Sequence, residues 1–290
     1  MAADFTTKRV GHNHAEAAHS ALRAAGRALM AMVAGNEVYA YTGTRRHDAA
    51  LPTVVFIHGA ANDHSVWALQ SRYFAHHGFN VLAIDLPGHG RSGGPALPSV
   101  AAIADFIPAL LDALDIDGAA LVGHSLGALA ALDCAARHDG RVSALALIGP
   151  AVPMTVSDEL LDAARRNDHV AFELITGWSY SAAKRLGGNT MPGVWLTGNA
   201  MRLLERSRPG VLYIDLAACH TYAAGLDAAA KVRCKAMTIV GGRDVMAPPK
   251  NSRDLIAALP GARAVELREC GHAMMAEDPD AVLDALRAFL

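Results

Sequence analysis

From residue 53 onward, short apolar runs alternate with longer stretches in which polar and apolar residues mix. The runs are "TVVFIH", "NVLAID", "AALVG", "ALALIG", "AMTIVG" and "AVEL", each closed by Gly, Asp, His or a loop. Runs of this kind suit strands buried on both faces, and helix-length spacers between them imply parallel crossovers. Segments 64–77, 99–114, 126–138, 249–258 and 279–289 have helical composition, several introduced by Ser, Asp or Pro. The expected fold class is α/β, a mostly parallel twisted sheet with helices on both faces. Upstream, "LMAMVAGNEVYAYTG" predicts two strands around Gly35-Asn36, an antiparallel hairpin feeding the sheet edge.

The alternation stops between Ala151 and about Ala229, where Trp178, Tyr180, Trp195, Tyr213 and Tyr222 gather among Met and Leu without a convincing strand. A helical cap is expected over 151–229, inserted into a core made of 28–150 and 230–290. Residues 1–27, Ala-rich with four Arg/Lys, stand apart as an N-terminal extension.

Length and charge narrow the function classes. A chain of 290 residues has room for one large core and an insertion. A net charge of -2 without any long Lys/Arg run gives no positive field for a phosphate backbone, so nucleic acid is not an expected partner. No run approaches the roughly 18 to 20 apolar residues of a membrane span, and the N-terminus lacks a signal peptide's apolar core. The cysteines at 134, 219, 234 and 270 are widely spaced, form no C-x-x-C pair and sit mostly among apolar neighbours. Reduced, buried thiols in a cytoplasmic protein are the expectation, with no membrane partner.

Candidate chemistry begins at "ALVGHSLGALAAL". Gly123-His124-Ser125-Leu126-Gly127 matches G-x-S-x-G, a sharp strand-to-helix elbow that exposes a strained serine above the sheet. The pattern is short enough to arise by chance, and Ser125 as an ordinary helix N-cap is the alternative. The apolar strand before it and the small-residue helix after it favour the elbow. The N–H of Leu126 then lies at a helix start, where unpaired donors favour negative charge. Fourteen histidines compete to be the base. Functional groups in an open parallel sheet gather beyond the carboxyl ends of strands. That places Asp244 in the loop "GRDVMAPP" after "AMTIVG", and His272 in "RECGHAMMAEDP" after "AVEL".

With "HGAA", "DLPGHGRSGG", "GHSLG", "GGRDVMAPP" and "GHAMMAEDP" in register, the chain from about residue 28 to its C-terminus resembles the α/β-hydrolase superfamily, specifically its capped serine hydrolases. The resemblance implies an eight-stranded type of sheet, Ser125 as nucleophile, His272 as general base and Asp244 as the acid that orients it. It further implies that Ala60, after His58-Gly59, presents a second N–H beside that of Leu126 to a developing oxyanion. No cofactor is implied. "GHGRSG", Gly88 to Gly93, also matches G-x-G-x-x-G, but the prolines around it leave no helix start for a dinucleotide phosphate.

The stretch "IHGAANDHSVW" offers His58, Asn62, Asp63 and His64 within seven residues. It lacks a motif such as H-E-x-x-H, and no metal site is expected. His58 is expected to be buried and bonded to loop backbone, with Asn62 or Asp63 capping the helix through Trp67. Residues Trp67, Met154, Trp178, Trp195, Tyr222, Met246 and Met274 are candidates for lining a substrate pocket, each equally suited to plain core. The arginines at 165, 166, 185, 202, 206 and 208 fit a solvated helix face better than a carboxylate clamp. The expected activity is hydrolysis of a small or medium ester with an apolar portion. Carbon-carbon bond hydrolase, lactonase, thioesterase, perhydrolase and acyltransferase chemistry suit the same three side chains, and a binding protein without turnover is the non-enzymatic alternative. Serine at 125 argues against dehalogenase-like and epoxide-hydrolase-like members, whose nucleophile is Asp.

Overall fold

Strands β1 (Ala28–Val33), β2 (Asn36–Tyr41), β3 (Thr53–Ile57), β4 (Asn80–Ile84), β5 (Ala119–His124), β6 (Val142–Ile148), β7 (Lys235–Gly241) and β8 (Arg263–Leu267) form one sheet in the order β1-β2-β4-β3-β5-β6-β7-β8. All contacts from β4 to β8 are parallel, while β1 and β2 pair antiparallel and β2 joins β4 antiparallel. The computed structural model describes residues 28–188, 190 and 193–290. The expected N-terminal extension over 1–27 lies outside them.

The hairpin turns one residue earlier than its sequence suggests. Val33 pairs with Asn36, so Ala34 and Gly35 make the turn, with φ of 48° and 81°. A two-residue hairpin loop needs positive φ at both central positions, and Ala34 accepts it beside Gly35. Asn36 therefore opens β2 instead of occupying the turn.

Helices α1 (Ala68–Ala75), α2 (Val100–Ala113) and α3 (Leu126–Arg137) follow β3, β4 and β5. Alternate residues of each strand serve the two faces. Val55, Ile57, Leu82, Ile84, Leu121 and Leu147 join the side chains of α2 and α3. Val54, Phe56, Ala83, Val122, Ile148 and Ile239 join Trp67 and Phe74 on the other face. Because both faces are covered, the strands carry near-continuous apolar sequence.

Between β6 and β7 the described residues form α4 (Asp158–Arg165), α5 (His169–Ser179), α6 (Ala182–Arg185), α7 (Leu196–Glu205), α8 (Val211–Thr221) and α9 (Gly225–Ala229). Side-chain caps set two of these starts: Ser157 accepts from the Leu160 N–H and Asp168 from the Val170 N–H. Leu160, Ala164, Ile175, Leu204, Leu212 and Leu216 form their own apolar cluster. Ala61, in the loop after β3, belongs to that cluster, so these helices rest on the loops at the strand carboxyl ends. After β7 come α10 (Pro249–Ala258), then α11 (Met274–Glu277) and α12 (Pro279–Arg287), with Val282 and Leu286 packed on the face that holds Trp67. Among the described residues no helix is long and apolar enough to cross a membrane.

Candidate active site

The chain turns from β5 into α3 through Ser125, whose φ of 54° and ψ of -117° lie far from ordinary serine geometry. Such a backbone costs about 1 to 3 kcal/mol and persists only where its surroundings hold it. The flanking glycines explain the holding. A Cβ on Gly123 would lie 2.2 Å from the Gly127 carbonyl oxygen, and one on Gly127 would lie 2.4 Å from that of Ile57. The elbow and the end of β3 thus touch backbone to backbone. Ser125 N–H donates to the Ile148 carbonyl at 2.9 Å, and the Ser125 carbonyl accepts from Ala128 and Leu129. Its side chain makes no capping bond to the helix, leaving the hydroxyl free for another role.

Asp244 follows β7 and His272 follows β8, and the two meet. His272 Nδ1–H donates to Asp244 Oδ2 at 2.7 Å, with both residues buried. Asp244 Oδ1 accepts from the N–H groups of Met246 and Ala247, 2.8 Å each. Burial alone would raise the Asp244 pKa; the His272 charge and these hydrogen bonds outweigh it and hold the carboxyl below its usual range. His272 Nε2 is buried and has no hydrogen-bond partner among the described residues. Ser125 Oγ points instead at Met154 Sδ, 3.9 Å away. Ser125 and His272 line the same cavity.

That cavity, about 790 Å³, runs from Ser125 and His272 beneath α4, α5, α7 and α8. Ala60 also faces it, while Gly59 lies so close to the elbow that a Cβ there would sit 3.0 Å from His124 Nδ1 and 3.3 Å from the Ser125 Cβ. Of the apolar candidates, Met154, Trp178 and Met246 line the cavity. Four others do not. Trp67 is fully buried against Phe56 and Phe74, and Met274 is buried on the same face of the sheet. Tyr222 packs against the α2/α3 face with its hydroxyl donating to Asp133 Oδ1 at 3.0 Å. Trp195 is 73% exposed, lying against Gly198 at the start of α7. An aromatic or Met side chain serves a core as well as a pocket, and residue type alone does not separate the two.

The belt of arginines also divides. Arg165 pairs with Asp162 and Tyr213 on the surface, Arg202 with Glu205, and Arg166 and Arg185 are exposed. Arg206 instead reaches Asp63, and Arg208 donates to the Ser92 carbonyl at 2.6 Å. These last two are exposed like the others, and in addition they tie the helices after β6 to loops of the core.

His58 is fully buried, its Nδ1–H donating to the Gly59 carbonyl at 2.8 Å and its Nε2 accepting from the Leu86 N–H at 3.1 Å. Asp63 caps the short 3-10 turn His64–Trp67 through the Ser65 N–H. Asp63, His64 and Asp85 do come together, their ligating atoms within 4.8 Å. Each is already committed: Asp85 accepts from the His64 and Arg91 N–H groups and from His64 Nδ1, and Asp63 holds Ser65 and Arg206. This donor set is satisfied by protein. The "GHGRSG" segment wraps around the same Asp85, and the next helix begins only at Val100.

A family model described as the alpha/beta hydrolase family matches residues 54–285. The chain belongs to that family. Among its relatives are two pimeloyl-[acyl-carrier protein] methyl ester esterases. The one from Aromatoleum aromaticum is 33% identical over 79% of this chain and 94% of its own length. That from Chromobacterium violaceum is 34% identical over 77% and 87%. The enol-lactonase from Burkholderia xenovorans LB400 superposes with a TM-score of 0.79 at 26% identity, covering 90% of this chain and 98% of the other. Membership accounts for the sheet order, and the hydrolase's own particulars lie in the groups around the elbow.

Several of those groups were not singled out by the sequence. His124 Nε2–H donates to the His272 carbonyl at 3.0 Å, fixing one loop against the other. Glu277 accepts from the Gly271 N–H at 2.8 Å and from the Ser181 hydroxyl at 2.8 Å, anchoring the segment that carries His272. Asp215 on α8 accepts from the Ala61 N–H at 2.8 Å. An acid inside the apolar run "LYIDLAAC" was the available signal.

Burial also sets how stability depends on pH. It lowers the pKa of His58 to about 4 and that of His124 to about 3. Both imidazoles bind protons more readily in the unfolded chain, so their contribution is complete above pH 6.5 and is lost as the pH falls toward those values. By linkage His58 is worth about 3 kcal/mol and His124 about 5 kcal/mol. His89 has the opposite sign: burial would lower its pKa, but the Asp215 carboxylate raises it, so its contribution is present in acid and fades at higher pH. Two against one, thermal midpoints should drop steeply from pH 6.5 to 4. A flat midpoint over that range, or NMR titration of His58 near pH 6.5 in the folded protein, contradicts this.

Proposed function

We propose that the hydrolase cleaves a carboxylic ester through an acyl-enzyme, with Ser125 as nucleophile, His272 as general base and Asp244 as the group that orients it. Ser125 Oγ attacks the ester carbonyl while His272 Nε2 takes its proton. The negative oxygen that forms is held by the N–H groups of Ala60 and Leu126. The alcohol leaves with the proton returned by His272, water repeats the sequence on the acyl-serine, and the carboxylic acid departs. The observation that carries this is the buried Asp244–His272 pair, its far nitrogen unpartnered, on the same cavity as the strained Ser125.

The segment 151–229 acts as a cap that closes the cavity and selects substrates. A cavity of about 790 Å³ suits a small or medium ester. Met154, Leu160, Ile175, Trp178, Leu216 and Met246 line it, which favours an apolar acyl or alcohol portion. Relatives named as methyl ester esterases support ester cleavage, and an enol-lactonase of the same shape shows that the fold admits cyclic esters. The test is a panel of p-nitrophenyl esters from acetate to dodecanoate, simple lactones and vinylogous diones. Turnover is expected on the esters, best at intermediate chain length. Hydrolysis confined to the diones would move the reaction to carbon-carbon bonds, and turnover of none would leave a binding protein.

A further inference from the structure

The cap touches the catalytic loop through one buried carboxylate. Asp215, near the middle of α8, is 1% exposed. Its Oδ2 accepts from the Ala61 N–H at 2.8 Å and faces His89 Nε2, also at 2.8 Å. His89 belongs to the loop after β4, is itself buried, and is braced by the Pro87 carbonyl 3.0 Å from Nδ1. Its ring lies 4.8 Å from that of His58, which in turn holds the Gly59 carbonyl. Asp215 Oδ1 is buried without a hydrogen-bond partner among the described residues. A buried carboxylate with one oxygen unsatisfied is a poor device for stability alone. Ala61 supplies the other half of the observation: its φ is 51°, left-handed backbone that an alanine adopts only when held.

These residues flank the loop that gives the oxyanion its first donor. We propose that Asp215 is a positioning residue, which with His89 fixes Ala61 and so aims the neighbouring Ala60 N–H at the developing oxyanion. The inference rests on the ester-hydrolase reading above. It makes seating of the cap and assembly of the oxyanion site one event, because the acceptor on α8 reaches the loop only when α8 lies on the core.

Asp215→Leu removes the acceptor while keeping bulk among Leu212 and Leu216. Kinetics on the best ester, normalised to active sites titrated with a fluorophosphonate, should show kcat lower by about 30- to 100-fold with KM within about threefold, since a misaimed donor affects the transition state more than the bound ester. Affinity for a trifluoromethyl ketone, which becomes an oxyanion on Ser125, should fall by the same factor as kcat. Asp215→Asn keeps an oxygen for Ala61 and should recover to within about tenfold of wild type. Unchanged kcat per titrated site, or a rise in KM alone, overturns the proposal. If Asp215→Leu does not fold, Asp215→Ala, which also removes the acceptor, decides, and wild-type kcat per titrated site in it overturns the proposal. If wild type itself turns over no ester, the ester-hydrolase reading fails on its own. Hydrogen exchange at the Ala61 amide then tests the positioning: faster exchange in Asp215→Leu supports it, and unchanged exchange overturns it.

Discussion

Ser125→Ala should lower kcat on the best ester by about 10⁶-fold, roughly 8 kcal/mol of barrier, and leave the fold intact. The hydroxyl makes no bond that the structure depends on: it caps nothing, and its one neighbour is Met154 Sδ at 3.9 Å. On the proposed mechanism its removal therefore takes away the attacking atom and little else, and residual hydrolysis, where water attacks an ester polarised by the Ala60 and Leu126 N–H groups, sets the floor. Steady-state kinetics with circular dichroism as a control checks the prediction. Activity within tenfold of wild type would move the nucleophile elsewhere.

Asp244→Asn should cost about 10⁴-fold in kcat. The two N–H groups of Met246 and Ala247 decide which way the new amide faces, because both donate to Oδ1 at 2.8 Å and need an oxygen there. The amide nitrogen is then turned toward His272 Nδ1, which has to accept instead of donate. His272 would carry its proton on Nε2 and could not take one from Ser125. The folded structure should survive, since every backbone donor keeps its acceptor. A variant with near-wild-type kcat would show that another acid orients the base.

Much of the fold was legible because burial on both faces forces near-continuous apolar strands. "TVVFI", "NVLAI" and "KAMTIVG" appear as β3, β4 and β7 with ends close to those expected. The hairpin slipped by one residue because Asn36 and Ala34 both tolerate the neighbourhood of Gly35, and only the pairing register chooses. The elbow was readable because its glycines answer to backbone contacts that few other sequences make. Asp244 and His272 were readable because strand ends locate loops, and the loops meet. Side-chain direction was not readable. Trp67 and Met274 face the core and Trp195 faces solvent, although the same residue types at Trp178 and Met246 line the cavity. The long-range partners were equally hidden. Nothing local in the sequence couples Asp215 to Ala61 across 154 positions, or Arg206 to Asp63 across 143.

The central claim is that Ser125 carries the acyl group, and mass spectrometry during turnover tests it most directly. Quenching the protein in acid within the first turnover of a slowly hydrolysed p-nitrophenyl ester should give an intact mass raised by one acyl group. Peptide mapping should place that group on Ser125, with no adduct in Ser125→Ala and a burst of about one p-nitrophenol per chain. Ester turnover by wild type with no adduct on Ser125, or with an adduct on another residue, would contradict the account.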